Sequence, residues 1–498
     1  MPIPLAAALA AATVALSPTQ PTTPQTPSYD PIELDIPCVG ASIEPGSDIQ
    51  GLLDSSPEGA RFCLRKGTHR ISKPLKPKHR QSIVGEAGAI LNGARAVPDS
   101  RISRHKGFSV ISGFSSFDRF VAPGGFEACR PYPGETTARG ACAYADQVFM
   151  DGKHLQQELS LGALRGREFF VDQDSNRIFI PFDLRDRDVE VSVAREAIVG
   201  QAADVTISGL VIEKFANAFQ TGAIQAGPTW VIEGNEVRLN NGIGIFSGEN
   251  NLVVDNHVHH NGQMGLAGQG VGIVVDSNEI SYNNINGANW AWEGGGTKWV
   301  RTTGLVVTNN HSHHNHGPGL WTDGYNIDTL YDNNLVENNL VQGIIHEISY
   351  DAIIRNNTLR KNGFGHEAKG SYWGGGIEVW QSPNVEIYNN LVEDNAHGIM
   401  AMMTPRGSGP HGVLELRNLF VHNNRIKLSN PTGRSGLAVY GGSGPQYYDE
   451  KNNRFEANSY WLKNPQSGLH FLWDHGYATA AQWQSYGNDS AGSFLDYP

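Results

Sequence analysis

The sequence predicts an all-β fold, a right-handed parallel β-helix that carries a small inserted β subdomain. One six-residue phrase supports this: asparagine at both ends, with an apolar residue (once serine) in the third position. Its copies begin at Asn235, Asn256, Asn278, Asn310, Asn334, Asn357, Asn390 and Asn418. Several spacings lie in the low twenties, and no apolar period of 3.6 residues separates the copies, so each copy fits one coil of short strands.

A second regularity supports the same fold. Each coil has a segment that starts with glycine and then alternates with apolar residues, as in GIGIF, GLWTD, GIIHE and GIEVW. Such alternation predicts strands on a further face of the helix. Asparagines at a fixed place in every coil can hydrogen-bond to one another and to the backbone of a buried turn. We therefore interpret the asparagines as structural and not as ligands.

The domain boundaries follow from where this rhythm begins, breaks and ends. The segment EFFVDQDSNRIFIPFDLRDRDVEVSV alternates like antiparallel strands joined by Asp and Asn turns, which predicts an inserted subdomain; irregular coils are the alternative. The predicted order is a signal peptide (1–17), a Pro/Thr-rich linker (18–33), N-terminal coils (34–113), the inserted β subdomain (114–195), the main β-helix (196–430) and a C-terminal cap (431–498).

Several bulk features predict a secreted protein, either extracellular or periplasmic. The start, MPIPLAAALAAATVALS, resembles a secretory signal without its charged region, and a disordered Ala-rich start is the alternative. Two sequence-local cysteine pairs predict the disulfides Cys38–Cys63 and Cys129–Cys142; without export they would be buried thiols. The net charge of −12 argues against nucleic acid, and no segment reaches the length of a membrane span. We expect a monomer.

Two coils are longer than the others, and both insertions fall at the same place. NINGANWAWEGG precedes the strand that begins at Gly296, and GFGHEAKGSYWGG precedes the strand that begins at Gly376. Both insertions are rich in tryptophan and glycine, so both loops should rise on one edge of the same strand face. Aromatic loops on a rigid scaffold are typical of carbohydrate sites, because aromatic faces pack on the C–H surface of sugars.

The strands between these loops place charged residues on the outer face. Counted from the leading glycine, even positions point outward. The second positions are Lys298, Trp321, Ile345 and Glu378, and the fourth are Val300, Asp323, Glu347 and Trp380. Asp323 and Glu347 should thus lie on adjacent coils, about 4.8 Å apart at the backbone.

Three carboxylates and one lysine on this face admit three interpretations. Paired carboxylates are the groups used for acid/base cleavage of glycosides. A salt-bridged acidic face neutralised by Lys298 is the structural alternative. Ca²⁺ bound by Asp323, Glu347 and Glu378 is the third, because hard cations prefer grouped carboxylate oxygens. No cofactor is required by the first interpretation.

Aromatic residues around this face are the predicted substrate-binding groups. These are Trp290, Trp292, Trp321, Tyr372, Trp373 and Trp380. His346 is a further candidate, either as a substrate-binding residue or as a buried histidine that orients Glu347. The motifs HVHHN and HSHHNHG are interpreted as solvent-facing turn residues and not as metal sites.

Taken together, the motifs WEGGGTK, GPGLWTDG, GIIHEIS and GGIEVW, set among the asparagine coils, resemble secreted bacterial right-handed β-helix proteins. More broadly they resemble the carbohydrate-active β-helix superfamily of glycoside hydrolases, polysaccharide lyases and epimerases, with its pectate-lyase-like solenoid. The resemblance covers residues 34–498 and implies a polysaccharide substrate. The Asp-Pro-His motif of the uronate epimerases and the clustered Arg and Lys of the lyases are not found in the sequence.

Three functions follow as hypotheses. The first is a glycoside hydrolase in which Asp323, Glu347 and Glu378 divide the acid, base or nucleophile roles. The second is a polysaccharide lyase in which Lys298 abstracts the proton and carboxylate-bound Ca²⁺ neutralises a uronate. The third is a non-catalytic glycan-binding or cell-surface β-helix protein.

Overall fold

A computed structural model describes residues 36–132, 135–136, 138–365, 373–440, 444–474 and 476–498. The predicted signal peptide and linker (1–33) and Tyr372 lie outside the described residues. Within the described residues, three long parallel sheets coil around one shared apolar core, which confirms the predicted parallel β-helix. No helix in this part of the chain is long and apolar enough to cross a membrane.

Two of the long sheets form the walls away from the candidate site. The first sheet pairs, in spatial order, the strands Ala41–Ile43, Arg61–Leu64, Ser82–Gly85, Thr206–Ser208, Val231–Glu233, Leu252–Val254, Val274–Asp276, Val306–Thr308, Thr329–Asp332, Ala352–Arg355, Val385–Tyr388, Phe420–His422 and Arg454–Glu456. The second sheet pairs Gly67–Arg70, Ala89–Asn92, Val211–Glu213, Glu236–Arg238, His257–His259, Glu279–Ser281, His311–His313, Leu335–Glu337, Thr358–Arg360, Leu391–Glu393, Arg425–Leu428, Ser459–Leu462 and Ser493–Asp496.

The remaining long sheet, here called the groove sheet, carries the candidate site. Its strands are Ile198–Val199, Gly222–Gln225, Ile243–Ser247, Met264–Val271, Gly295–Thr303, Leu320–Asp323, Ile344–Glu347, Gly375–Trp380, His397–Met403, Ser435–Val439, Phe471–Trp473 and Gly476–Ala478. All neighbouring pairs are parallel except the last, which is antiparallel.

Asparagine ladders hold the two turns of each coil on either side of the second sheet. Each side-chain amide donates to the carboxamide oxygen of the next coil's asparagine at 2.8–3.1 Å. The amides also donate to backbone carbonyls; Asn283, for example, donates to Val258 at 3.0 Å. Because these groups are buried, each bond satisfies an atom that water cannot reach. The prediction that the asparagines are structural is confirmed.

One copy of the repeated phrase was misread from the sequence. The phrase that begins at Asn418 spans the strand Phe420–His422, which belongs to the first sheet and not to the second. The ladder passes instead through Asn424, which accepts from Asn390 and donates to Asn458. A segment that begins at Asn424 has Ser429 in its sixth position, so the sequence pattern favours Asn418 and only the strand pairing identifies Asn424.

The inserted subdomain is present, but its strands run from Ala94 to Ser192 and so begin well before residue 114. One sheet pairs Lys153–His154, Val148–Met150, Val189–Ser192 and Ala94–Ala96, and the other pairs Gln156–Glu158, Glu168–Asp172, Arg177–Ile180, Phe108–Ser112 and Ile102–His105. Most pairs are antiparallel, and the subdomain has its own apolar core. The strands after residue 94 alternate like coil strands, which hid the true boundary.

The short elements and the disulfides complete the fold. The described helices are Ile49–Ser55, Gln446–Asp449 and Ala480–Ser485, with 3₁₀ turns at Asp99–Arg101, Pro123–Gly125 and Leu161–Ala163, and a hairpin joins Ser408–Gly409 to Gly412–Val413. Strands of all three long sheets continue through residues 431–498, so that segment holds further coils as well as a closing helix. The predicted disulfides Cys38–Cys63 and Cys129–Cys142 are both formed.

Candidate active site

The outer face of the groove sheet presents two columns of side chains, in the register predicted from the sequence. Trp321 pairs with Ile345, which pairs with Glu378. Asp323 pairs with Glu347, which pairs with Trp380. Parallel strands set such neighbours about 4.8 Å apart at the backbone. Asp323 and Glu347 are therefore adjacent carboxylates on one face.

Lys298 is buried at one end of these columns, with only 3% of its surface exposed. Its Nζ lies 2.8 Å from Oδ2 of Asp323 and 3.3 Å from Oε1 of Glu293, and it donates to the carbonyl of Trp292. The ammonium also lies 3.8 Å from the ring centroid of Trp321. Burial lowers the pKa of Lys298, but the two carboxylates outweigh burial and raise it overall. Lys298 is thus a charged ammonium inside the site.

Glu293 belongs to this cluster, although the sequence analysis did not single it out. Burial raises the pKa of Glu293, while the neighbouring ammonium of Lys298 opposes that rise. Glu293 lies in the loop before the glycines of WEGGG, outside any strand, so strand alternation could not place it. The available signal was its position five residues before Lys298, on the other side of the glycine-rich turn.

Glu347 has a different environment from Asp323. Its Oε1 accepts a hydrogen bond from Nε1 of Trp321 at 2.9 Å, and its side chain is only partly exposed. Burial raises the pKa of Glu347 to about 8, the charge of Asp323 adds to the rise, and Lys298 opposes it. At neutral pH this carboxyl is therefore mostly protonated, while Asp323 directly faces a cation.

Glu378 has contacts separate from those of Asp323 and Glu347, and the catalytic role expected from the sequence stays a prediction. It is completely buried, and its oxygens accept from Gln342 at 2.9 Å, from the Trp380 indole at 3.1 Å and from the Gly375 amide at 2.7 Å. Burial raises the pKa of Glu378 to about 7, and these donors oppose the rise. Three donors of the protein thus engage the carboxyl of Glu378.

His346 is also interior, as the alternative of a buried histidine expected, and its contact with substrate stays a prediction. It is fully buried, with Nδ1 2.7 Å from Oγ1 of Thr322 and Nε2 2.7 Å from the carbonyl of Tyr350. Burial lowers its pKa to about 4. The histidine therefore fills the core and links coils; neither nitrogen is directed at Glu347.

The two tryptophans of the first long loop face the inserted subdomain and not the open groove. Trp290 is 5% exposed and donates from Nε1 to the carbonyl of Pro131 at 2.8 Å. Trp292 stacks on Phe126 with ring centroids 5.4 Å apart and an interplanar angle of 2°. The inserted subdomain packs against both rings, and its folded position could not be predicted from the sequence. The binding of sugar rings by Trp290 and Trp292 stays a prediction.

The other predicted aromatics form the floor of the groove. Trp321 and Trp380 belong to a buried cluster with Ile345, and the partly exposed Trp373 packs against that cluster. The rings of Trp373 and Trp380 have centroids 4.5 Å apart. Of the predicted aromatics that the structure describes, Trp373 therefore remains as a surface against which a ring could pack. Tyr372 lies outside the described residues.

Among the described residues, no group of three or more His, Cys, Asp or Glu side chains has the geometry to hold a metal ion. The candidate Ca²⁺ ligands are engaged elsewhere: Asp323 faces the ammonium of Lys298, and the oxygens of Glu378 are occupied by donors. Ca²⁺ binding at these residues stays a prediction.

These features define a parallel β-helix with an unlike carboxylate pair on the outer face of one sheet. The chain belongs to the family described as right handed beta helix region, whose model matches residues 221–372 and 351–489, more than half of the chain. The all-β, right-handed parallel β-helix predicted from the sequence is thereby confirmed. No curated protein matches the chain.

The chain is similar to several solved structures at low sequence identity. The complex of XylC with xylose is 14% identical, with 86% of this chain and 83% of that chain covered and a TM-score of 0.59. The A-module of the Azotobacter vinelandii mannuronan C-5 epimerase AlgE4 is 13% identical, covering 86% and 94%, with a TM-score of 0.48. The Yersinia enterocolitica family 28 exopolygalacturonase is 11% identical, covering 87% and 78%, with a TM-score of 0.40.

Proposed function

We propose that this protein is a carbohydrate-active enzyme, a glycoside hydrolase that cleaves a polysaccharide bound across the groove sheet. The observation that carries the proposal is the pair Asp323 and Glu347, adjacent on one face but in unlike environments. Glycosidases need one protonated carboxyl and one ionised carboxylate at the same bond. Adjacent carboxylates repel each other, and solubility alone does not require two acidic residues to be neighbours.

The environments assign the two roles. Glu347, with its raised pKa, is the general acid that protonates the departing glycosidic oxygen. Asp323, paired with an ammonium, is the ionised partner. Their adjacent strands fit the separation of about 5–5.5 Å used by retaining enzymes, in which the carboxylate attacks the anomeric carbon and water later releases the sugar. Asp323 is then the nucleophile.

Lys298 supports this chemistry by its charge. It compensates Asp323 and Glu293 and opposes a further rise in the pKa of Glu347. The lyase hypothesis needs a neutral lysine that can accept a proton from the substrate. Asp323 and Glu293 raise the pKa of Lys298, so the lysine stays protonated and is a poor base. The hydrolase reading therefore has the better support.

The likeness in fold to XylC, solved with xylose, supports a carbohydrate as the class of ligand. The two disulfides support export from the cytoplasm, which suits an enzyme that meets polysaccharide outside the cell. We propose a secreted protein that acts as a monomer. A bound Ca²⁺ is the secondary proposal that a chelator tests.

The test is incubation with a panel of neutral and uronate-containing glycans, with and without a chelator. New reducing ends without the ultraviolet absorbance of unsaturated uronates are expected for hydrolysis. Reducing ends together with that absorbance would indicate a lyase. Binding without either product would support the non-catalytic alternative.

Variants then test the assignment of residues. Glu347→Gln and Asp323→Asn should each lower kcat by about 10²–10⁴-fold, the range typical of acid/base groups. Glu337→Gln, on the second sheet, and Glu378→Gln are the matched controls and should keep kcat within a few-fold. Full activity in Glu347→Gln would contradict the proposal.

A further inference from the structure

We propose that a disulfide-closed loop of the inserted subdomain is a positioning element for the catalytic centre. The clamp loop is defined by the described residues of 120–142, which include Cys129 and Cys142. It holds the tryptophan loop, residues 284–294, and through that loop it fixes Lys298 and Glu293. The inference rests on the proposed function for its consequence on catalysis, but the positioning can be measured without any substrate.

Backbone contacts join the two loops directly. The amide and side-chain amide of Asn289 donate to the carbonyls of Ala128 and Glu127, both at 2.9 Å. The Arg130 amide donates to the carbonyl of Gly287 at 3.2 Å, and a β-bridge pairs Cys129 with Ala288. These contacts flank the disulfide, so closing the ring by Cys129–Cys142 restricts the segment that makes them.

Side chains extend the same interface. The guanidinium of Arg130 lies 4.3 Å from the centroid of Trp290, which itself donates to Pro131. Phe126 stacks in parallel on Trp292, and Phe120 lies on it at a centroid distance of 6.5 Å. Trp292 is thus in contact with two aromatic rings of the clamp loop.

The tryptophan loop in turn supplies two of the contacts of Lys298. The carbonyl of Trp292 accepts from the ammonium, and Glu293 pairs with it at 3.3 Å. The clamp loop therefore contacts the tryptophan loop, the tryptophan loop contacts Lys298, and Lys298 is the counter-ion of Asp323. Gln263 also donates from its side-chain amide to the carbonyl of Glu293 at 2.9 Å. The amides of Ile285 and Asn286 donate to the carbonyls of Asn261 and Gly262, so the preceding coil holds the start of the loop and the clamp loop holds its middle.

The tryptophan loop needs this support because it is an insertion in the regular coil. Residues 284–294 include Gly287 and Gly294 and lack a long strand of their own. Ordering each such residue costs about 1–2 kcal/mol of backbone entropy. Displacement of a catalytic group by about 1 Å costs roughly 10²-fold in rate. The disulfide-closed clamp loop would thus keep the ammonium of Lys298 in its position beside Asp323.

The first experiment measures the accessibility of Lys298 in the full chain. The protein is treated briefly with an N-hydroxysuccinimide ester of acetate, and acetylation at each lysine is quantified by mass spectrometry. Lys298 should be protected in the wild type and should react at least 10-fold faster in Cys129→Ser/Cys142→Ser. Cys38→Ser/Cys63→Ser, which opens the other disulfide, is the matched control and should leave Lys298 protected.

A second variant guards against misfolding of the double mutant. Phe126 is 57% exposed, so Phe126→Ala removes the stacking on Trp292 without opening a buried core. It should raise the acetylation rate of Lys298 in the same direction but by less, about 2–5-fold, because the disulfide remains. Protection equal to the wild type in both clamp variants would overturn the positioning role. An acetylation rate of Lys298 that rises as much in Cys38→Ser/Cys63→Ser as in Cys129→Ser/Cys142→Ser would also overturn the positioning role.

On any glycan that the wild type cleaves, the clamp variants should lose kcat by about 10–100-fold, with KM changed by less. Unchanged kcat and an unchanged pH profile would overturn the catalytic consequence. If the wild type cleaves no glycan while Lys298 becomes reactive only in the clamp variants, the positioning stands and the proposed function fails. The two outcomes are therefore distinguishable.

Discussion

Replacing Glu347 by glutamine should stabilise the protein, and the gain should grow as the pH rises. The folded site raises the pKa of this carboxyl from its ordinary value of 4.5 to about 8, chiefly through burial. The folded state therefore binds a proton more tightly than the unfolded chain does. Between pH 4.5 and pH 8 the carboxyl ionises freely in the unfolded chain but stays protonated in the folded protein. The unfolded state is therefore stabilised relative to the folded state, and the free energy of unfolding falls as the pH rises. Glutamine is neutral at every pH and can still accept from Trp321.

The magnitude follows from proton linkage between these two pKa values. At pH 5 the wild-type carboxyl costs about 1 kcal/mol relative to a neutral group, and at pH 7 about 3 kcal/mol. The free energy of unfolding of Glu347→Gln minus that of the wild type should therefore rise by about 2 kcal/mol over this interval. Below pH 4 the difference should fall to nearly zero, since the carboxyl is then protonated in both states.

The assay is urea unfolding at pH 4, 5, 6, 7 and 8, followed by tryptophan fluorescence and compared between variants at each pH. Glu337→Gln is a control of opposite sign. Burial alone would raise the pKa of Glu337, but Arg360 and His311 outweigh burial and lower it. Its replacement should therefore destabilise at neutral pH. A Glu347→Gln difference that stays flat between pH 5 and pH 8 would refute the raised pKa.

Three further predictions concern the surroundings of the site and the scaffold. Lys298→Met should destabilise by about 3–5 kcal/mol in urea unfolding at pH 7, because Asp323 loses its buried counter-ion; an unchanged midpoint would contradict the ion pair. Glu378→Gln should destabilise by about 1–3 kcal/mol at pH 4, since one of its donors then faces an amide donor, and this loss should shrink towards pH 7 because the folded site raises the pKa of Glu378 to about 7; kcat per folded molecule should stay within a few-fold. Asn283→Ala should cost about 3 kcal/mol or more, because it interrupts a ladder and leaves buried partners unsatisfied; a loss below 1 kcal/mol would show that the ladder contributes little.

The fold was predictable because the same asparagine phrase recurs in coil after coil of the sequence. The spacing of the asparagines and the alternation of the groove strands depend only on local geometry, and both the strand register and the outward columns followed from them. The misplaced copy at Asn418 shows the limit. There, the full phrase falls on a strand of the first sheet, whereas the ladder residue Asn424 begins a segment with Ser429 in the sixth position, so only pairing with a neighbouring coil identifies it.

The site was less predictable, for a different physical reason. Strand parity states which way a side chain points, but not what later covers it. Trp290 and Trp292 lie in a loop, and a segment more than 140 residues earlier in the chain packs against them. Glu378 also lies in the outward column, but Gln342 and neighbouring groups enclose it. Glu293 was missed because a loop residue has no parity.

The difference between the two carboxylates arises from the order of residues along the columns. Asp323 is adjacent to the strand that carries Lys298, so it lies beside the cation. Glu347 is one strand further on, between Asp323 and Trp380 and next to the indole of Trp321. The stacking of parallel coils brings the like charges together, and a single lysine at one end can compensate only the nearer one fully. The farther carboxyl is left in an apolar setting that favours its proton. An acid and an ionised partner therefore follow from placing one cation, two acids and a tryptophan in that order along the sheet.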